Sequence, residues 1–346
     1  MNKFKSYFII WIVIVLQVAC NNGGGAPNSA PNSLNATVIS LNTPSYTDGS
    51  AAINNLVSYS NSLYLLNMDG NIWRTIYNGT NSVWTKLVGL PNSVATTIAL
   101  NPLGNLFACS EMGNCYLYTE DNWLEEGGGT ESSTPSSMLV TNGNDIYMGN
   151  AAGHVWYYSN SIWSNISAAS GINSKINQLA VDGATPSYLG VASGSSVYAY
   201  RISDGSWSDL IAEASSQYTD SGSTINTITF YSDGRNDYGY FGNSFGNVWR
   251  AIYDTATGKE TSFLNMNISY PGFSGSGAIN IIIADSNNNL YVGTADGQVL
   301  IWTPNTIAWS NITPTGNTAA ISALSIHNSN TVFAGTQDGQ MWALVW

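Results

Sequence analysis

From residue 36 onward, apolar and polar residues alternate in short runs that are separated by turns rich in glycine. Alternation with a period of two predicts β-strands with one buried face. The clearest run, residues 290–299, reads LYVGTADGQV, and residues 146–155 and 332–341 repeat its form. In each run a glycine stands between two apolar segments, where it takes the positive φ of a tight turn at little steric cost. The pattern therefore predicts repeated β-hairpins.

The predicted hairpin turns recur along the whole chain. Their glycines are Gly70, Gly113, Gly153, Gly194, Gly246, Gly297 and Gly339, of which Gly194 is one position out of register. Successive turn glycines lie 40 to 52 residues apart, and a period of that length with four short strands is typical of a β-propeller blade. We predict an all-β fold in which residues 36–346 form a single propeller of seven four-stranded antiparallel blades.

A second repeated position marks the outer strand of the unit. It is held by Trp84, Trp123, Trp163, Trp207 and Trp309, with Phe263 in the fifth unit. The seventh unit stops at Trp346 without an outer strand, whereas residues 36–41 alternate like a strand and have no partner of their own. We expect this N-terminal strand to complete the last blade and close the ring, which removes two open sheet edges. A right-handed β-helix or a two-domain sandwich is the alternative, although neither matches a repeat of this length.

Some units resemble the repeats of known propeller families. Residues 159–163 (SNSIW) and 203–207 (SDGSW) resemble degraded Asp-box repeats of sialidase-like propellers. Residues 246–259 (GNVWRAIYDTATGK) resemble the pyrroloquinoline-quinone-type repeat, which also builds the propeller lipoprotein of the outer-membrane β-barrel assembly machinery. The resemblance extends over residues 36–346 at the level of blades, so it implies a propeller lipoprotein and leaves the function open.

The first twenty residues read as a targeting segment. Lys3 and Lys5 precede an apolar run that is too short to span a bilayer. The following LQVAC, with Leu one step further from the cysteine than usual, resembles the bacterial lipobox, in which the thiol of Cys20 is acylated. We predict a lipoprotein signal peptide over residues 1–19 and a flexible tether over residues 20–35, with a mean reach of roughly 20 Å. An ordinary secretory signal is the alternative.

By the same resemblance, aspartate directly after the cysteine would retain the protein in the inner membrane. This sequence has asparagine there, which implies an outer-membrane location. The chain would face the periplasm or the cell surface, attached to the membrane through its lipid anchor only. Charged residues make up only 9% of the sequence, and the net charge is -12. Such an acidic surface repels phosphate backbones, which argues against a nucleic-acid partner.

Two cysteines face each other in a predicted hairpin. Cys109 and Cys115 are six residues apart, at the sites that Gly149 and Val155 hold in the next unit. Residues opposed across an antiparallel ladder are close enough for a disulfide after modest adjustment, and an oxidising compartment favours the bond. Two free thiols are the alternative. A zinc site is disfavoured because the chain has only two histidines.

The residue that follows each turn glycine is polar in six units. These positions are Asn71, Asn114, His154, Asn247, Gln298 and Gln340. In a propeller they lie on one face, where they are either hydrogen-bonding groups of the turns or a ring that contacts a ligand.

The repeat is interrupted by three insertions, residues 125–137, 212–224 and 264–278. We expect all three to form loops on the same face of the propeller as the hairpin turns. Their predicted partner-binding residues are Glu125, Glu126, Glu131, Glu213, Tyr218, Asp220, Tyr270 and Phe273. Loops on a rigid scaffold are where binding residues concentrate, and exposed aromatic side chains suit a protein interface. The alternative is that these loops are solvated linkers.

Catalytic templates are missing from the sequence. Residues 272–276 fail the nucleophile-elbow pattern at its last position, and no HExxH motif is present. The four arginines, Arg74, Arg201, Arg235 and Arg250, stand in or beside repeat strands rather than in a carboxylate-binding motif. Residues 285–289 place oxygen ligands at alternate positions but lack the glutamate of an EF-hand loop, so an asparagine-rich turn is expected. We predict no enzymatic activity, no cofactor and no metal.

The sequence therefore favours a non-enzymatic envelope lipoprotein that acts as a protein-binding scaffold or as a subunit of a membrane-associated complex. A glycan-binding propeller lectin is the second hypothesis, because the chain is rich in aromatic residues. A lectin would show equivalent pockets in several blades, whereas a scaffold would use unique loops. A hydrolase or lyase of propeller type is the third.

Overall fold

The computed structural model describes residues 36–41, 52–79, 83–128, 133–183, 186–214, 216–254 and 260–346. These residues form seven four-stranded antiparallel sheets arranged as the blades of a propeller, with two helices of four residues, α1 (Leu210–Glu213) and α2 (Met266–Ser269). The predicted all-β architecture and the number of blades are confirmed. The β-helix and sandwich alternatives are wrong. In the described ranges, no helix is sufficiently long and apolar to span a membrane.

Each blade contains an inner, a second, a third and an outer strand. The inner strands are β2 (Ile53–Tyr59), β6 (Ala95–Leu100), β10 (Pro135–Val140), β14 (Ile176–Val181), β18 (Ile225–Ser232), β22 (Ile279–Ala284) and β26 (Ile321–Asn328). The second strands are β3 (Ser62–Asn67), β7 (Leu106–Ser110), β11 (Ile146–Asn150), β15 (Tyr188–Ser193), β19 (Asn236–Asn243), β23 (Leu290–Thr294) and β27 (Thr331–Thr336).

The third and outer strands complete the sheets. The third strands are β4 (Ile72–Ile76), β8 (Asn114–Thr119), β12 (Val155–Ser159), β16 (Ser196–Arg201), β20 (Val248–Asp254), β24 (Val299–Thr303) and β28 (Met341–Val345). The outer strands are β5 (Thr85–Lys86), β9 (Asn122–Gly128), β13 (Ile162–Asn165), β17 (Ser206–Asp209), β21 (Glu260–Asn265), β25 (Ala308–Asn311) and β1 (Thr37–Ser40).

The ring closes through the N-terminal strand, as the sequence predicted. Strand β1 pairs antiparallel with β28, with Ile39 opposite Ala343, and the Leu41 N–H donates to the Met341 carbonyl at 2.9 Å. The last blade thus combines strands from both ends of the described chain. Without this pairing, β28 would be an unpaired edge at the rim of the ring.

Neighbouring blades fit together by matching large and small residues. Gly149 near the end of β11 lies against Ile176 of the next inner strand, and a Cβ at this glycine would fall 2.4 Å from the isoleucine Cγ2. The first blade reverses this pairing. Its second strand carries the larger Leu66 at the glycine position, the next inner strand starts with the small Ala95, and Leu66 and Ala95 belong to one buried cluster. The glycine that recurs at this place therefore makes room for the next blade.

All seven inner strands carry a β-bulge at their second residue. In six blades the side chain of this residue donates a hydrogen bond to a carbonyl of the next inner strand. These bonds join Asn54 to Thr96, Ser136 to Ile176, Asn177 to Ile225, Asn226 to Ile279, Asn280 to Ile321 and Ser322 to Ile53. We call this set the inner belt. It crosses the closing junction between the last blade and the first.

The repeated outer-strand tryptophans form a second series of bonds between blades, the outer belt. Each indole N–H donates to a carbonyl at or just after the outer strand of the preceding blade. The pairs are Trp84 to Leu41, Trp123 to Val88, Trp163 to Glu126, Trp207 to Ile166 and Trp309 to Met266, at 2.8 to 3.4 Å. The tryptophans are thus structural groups that link one blade to another.

The inner belt gives a testable prediction for stability. Replacing Asn226 with alanine removes the 2.9 Å bond to the Ile279 carbonyl and leaves that carbonyl without its partner. We expect Asn226→Ala to lower the free energy of unfolding by about 1–2 kcal/mol, measured as a lower urea midpoint at unchanged m-value.

Thr96 supplies the matched control. It occupies the same bulge position in the second blade, but its hydroxyl bonds to the Cys109 carbonyl of its own blade at 3.3 Å. Thr96→Ala should therefore have the smaller effect. Equal losses for the two variants would contradict a specific role of the bonds between blades.

Candidate functional site

The connections between blades and the hairpin turns that join second and third strands lie on the same face of the ring, which we call the turn face. The Ala152 N–H in one turn donates to the Ser133 hydroxyl at 3.1 Å. Ser276 of the third insertion donates its N–H and hydroxyl to the carboxylate of Asp296 in the next turn. The insertions are therefore packed against the turns of the blades that follow them.

The six predicted ring residues lie at these turns, five half-buried and Gln340 exposed. In five of the turns the main-chain N–H of the ring residue donates to a side-chain oxygen four residues earlier, at 2.9 to 3.0 Å. The side chains are also engaged, since Asn247 donates to Asp220 and Gln298 bonds to Ser274. This arrangement is the turn chemistry that the sequence left open as one alternative.

The groups that cap these turns were missed at the sequence level. They are polar side chains with at most 1% exposure at the end of the second strand, namely Asn67, Asn150, Asn243, Thr294 and Thr336. In four of them a glycine precedes the polar residue, as in Met148-Gly149-Asn150. A buried polar residue needs a partner, and here the turn N–H groups supply it. The sequence therefore did contain a signal for these turn caps, namely the repeated Gly-Asn and Gly-Thr pairs.

The second insertion corrects the prediction for Tyr218, which is only 8% exposed. Its ring packs 4.9 Å from that of Trp249, and its hydroxyl accepts a hydrogen bond from the Asn243 amide at 3.2 Å and shares another with Ser223. Burial raises the pKa of the Tyr218 hydroxyl above its ordinary value. This side chain belongs to the core of the fifth blade and is unavailable to a partner.

Asp220 has a structural role in the same place. Its carboxylate accepts hydrogen bonds from the side chains of Asn243, Asn247 and Trp249 at 2.7 to 2.8 Å. Glu213, at the end of α1, is exposed. Of the two acids predicted in this insertion, Glu213 is thus the one open to a partner.

The aromatic residues of the third insertion are half-buried. Tyr270 lies 5.4 Å from the Trp302 ring and beneath the guanidinium of Arg250, while Phe273 packs edge-on against Trp309. Both rings cover the sixth blade. Tyr270 and Phe273 are therefore only partly exposed, because the edge of the blade supplies apolar surface that the sequence did not reveal. Their role in binding a partner stays a prediction.

Two acids assigned to the first insertion lie in a strand instead. Glu125 and Glu126 belong to β9, and Glu125 pairs with Tyr116. The Glu126 carboxylate accepts a hydrogen bond from the Tyr158 hydroxyl of the next blade at 2.8 Å. Glu131 lies outside the described residues, as does Cys20.

Unpredicted apolar side chains are exposed on the turn face instead. Met68, Met112 and Phe245 stand at turn tips with exposures of 70%, 59% and 59%, and Ile268 on α2 reaches 85%. Val94 lies between Met68 and Met112. Its side chain packs against Gly70, and its carbonyl accepts a hydrogen bond from the Glu111 N–H. The Asn267 side chain donates a hydrogen bond to the Gly246 carbonyl, so α2 lies beside the turn that carries Phe245.

The two cysteines are joined by a disulfide across β7 and β8, with Cα atoms 4.0 Å apart. Both are completely buried and pack in one cluster with Met138 and Met148. Within the described part of the chain, no group of three or more His, Cys, Asp or Glu side chains is arranged to hold a metal ion.

The inner strands surround a central cavity of about 650 Å³ that is open to solvent. Polar residues of the inner belt line it, among them Asn177, Asn226 and Asn280, together with half-buried aliphatic residues such as Leu139 and Ile283.

Comparisons with known proteins establish the fold alone. No family model matches the chain, and no curated protein sequence matches it. Among solved structures, the chain is similar to selenomethionine-substituted virginiamycin B lyase from Staphylococcus aureus, with a TM-score of 0.70 and 12% sequence identity. The match covers 90% of this chain and 99% of that one. At this identity the likeness shows a shared propeller architecture and carries no activity across.

The assignment of Asp220 gives a second prediction. Asp220→Asn removes the charge that three donors share, so we expect the free energy of unfolding to fall by about 2 kcal/mol. Chemical denaturation followed by tryptophan fluorescence measures the change. The control Glu213→Gln, at an exposed acid of the same insertion, should stay within about 0.5 kcal/mol of wild type. If Asp220→Asn were equally silent, the structural role of this carboxylate would be refuted.

Proposed function

We propose that this chain is a non-enzymatic binding protein of the cell envelope, a scaffold or subunit of a membrane-associated complex that presents its turn face to a protein partner. The observation that carries the proposal is the exposure of Met68, Met112, Phe245 and Ile268 on that face. Methionine and aromatic residues are enriched in protein interfaces, where a few residues near the centre of the contact contribute most of the affinity.

These side chains form two patches. The first patch spans blades one and two and consists of Met68, Val94 and Met112. Two exposed acids, Asp69 and Glu111, lie beside it. Phe245 and Ile268 make the second, on blade five. Methionine adapts its shape to different partners, and flanking acids would pair with a basic rim on the partner. The turns of Met68 and Phe245 are held by the buried caps Asn67 and Asn243, and the Met112 turn is closed by the hydrogen bond from the Gly113 N–H to the Ser110 carbonyl. Little conformational entropy would therefore be lost at these turns on binding.

The lipobox-like segment supports membrane attachment through Cys20. In this proposal the tether leads directly into β1, the strand that closes the ring, so the propeller would lie near the outer membrane, facing the periplasm or the cell surface. A partner in the same membrane would then meet the turn face at a high local concentration.

The lectin hypothesis gains less support. The outer-strand tryptophans donate their indole N–H groups to the preceding blade, and Trp84, Trp123 and Trp309 are buried. Repeated aromatic residues that fill the spaces between blades do not offer equivalent sugar-stacking sites. The lyase named above is a distant fold relative, so a propeller lyase remains the third hypothesis.

The interface proposal is tested by two substitutions in the first patch. Met68→Asp combined with Met112→Asp places charges at the centre of the contact, so partners that co-purify with the membrane-anchored protein in gentle detergent should decrease at least about tenfold. The control Leu103→Asp alters a side chain of similar exposure, 69%, on the opposite face. Undiminished recovery of the same partners with the double variant would exclude the first patch as the interface.

The anchor is tested separately. In cells given radiolabelled palmitate, the wild-type chain should incorporate label and sediment with membranes, whereas Cys20→Ala should do neither. Membrane association and labelling that survive this substitution would contradict acylation at Cys20.

A further inference from the structure

The central cavity carries an inference that is independent of the scaffold role. We infer that it is a binding site for a small amphipathic anion, such as a carboxylate with an aliphatic chain, whose charged end lies beside Lys175. The cavity volume of about 650 Å³ falls within the range of roughly 300–1,000 Å³ that is typical of sites for small ligands.

The polar end of the cavity is built by the inner belt. Each of Asn54, Asn177, Asn226 and Asn280 uses one amide N–H to bond a carbonyl of the next blade. Among the described residues, the second N–H of each amide has no protein partner. These four amides are fixed in place by the bonds between blades, so they present preorganised donors to a ligand.

Charge decides which ligand this polar end favours. Among the described residues that line the cavity, Lys175 is the one with an ionisable side chain. It lies two residues before Asn177, at the turn-face end of β14. No acid among the described residues forms an ion pair with it. A cationic ligand would be repelled, whereas a carboxylate would gain an ammonium group and amide donors together.

The rest of the wall is aliphatic. Further along the inner strands the lining includes Val57, Leu139, Ile281, Ile283 and Ile326, all half-buried, so part of their apolar surface faces the cavity. None of the lining residues that the structure describes has an aromatic ring for stacking against a sugar. Covering exposed aliphatic surface with an alkyl chain is favourable, and the gain grows with chain length.

The purified protein, in the processed form that cells produce, is titrated with butanoate, hexanoate and octanoate in a calorimeter. The same titration into any carrier lipid alone is the blank. We expect one site per chain and a dissociation constant that falls by about fourfold for each methylene added. Octylammonium, with the same alkyl chain and the opposite charge, should bind at least about tenfold more weakly than octanoate.

Lys175→Gln should weaken octanoate binding by about tenfold, because it removes a charged donor. This lysine is exposed, so the substitution leaves the core unchanged. Lys86→Gln, on the outer strand of the first blade, is the matched control and should bind as wild type does. The inference is overturned if both variants bind octanoate equally, or if the dissociation constant does not depend on chain length. Neither outcome bears on the turn-face interface, whose test uses other residues.

Discussion

The structure depends on one constraint, that every blade must be completed by its neighbours around a closed ring. A four-stranded blade has two apolar faces and cannot bury either alone. Here the faces meet through matched pairs such as Gly149 with Ile176, and two belts of hydrogen bonds hold the blades at the inner and outer radius. Pairing of β1 with β28 makes the series continuous, since the last blade takes its outer strand from the start of the described chain.

This constraint explains why the repeated residues reveal little about function. The outer tryptophans, the bulge residues and the turn caps all have partners in the fold, so their recurrence reflects the packing of blades. Features that break the repeat are better indicators of a site. Met68 and Met112 stand at turn tips where the third and sixth blades carry alanine or aspartate. Lys175 directly precedes an inner strand, at a place where the other blades carry alanine, valine or threonine. Repeated positions thus serve mainly the packing of blades, and in the proposed cavity site the amides of four bulge-position asparagines would add donors beside the unique Lys175.

Much of the architecture was predictable because it rests on local rules. Alternating apolar residues and turn glycines identified all seven blades, and residues 36–41 were assigned to the last blade because they lacked a local partner. The candidate site was predicted less well. Tyr218 and Asp220 look exposed in a polar insertion, but the insertion folds back onto the fifth blade and buries them against Trp249. Such contacts join residues about thirty positions apart, beyond the reach of periodicity.

The strands, the turns, the period and the closing strand could be predicted from the amino-acid sequence, because each follows from local side-chain periodicity and the conformational freedom of glycine. Which polar side chains are used within the fold, and which remain open to a ligand, became visible in the folded ring. That distinction depends on neighbours brought together by ring closure. The amides of the inner belt and Lys175 line one cavity only because seven inner strands converge on a common axis.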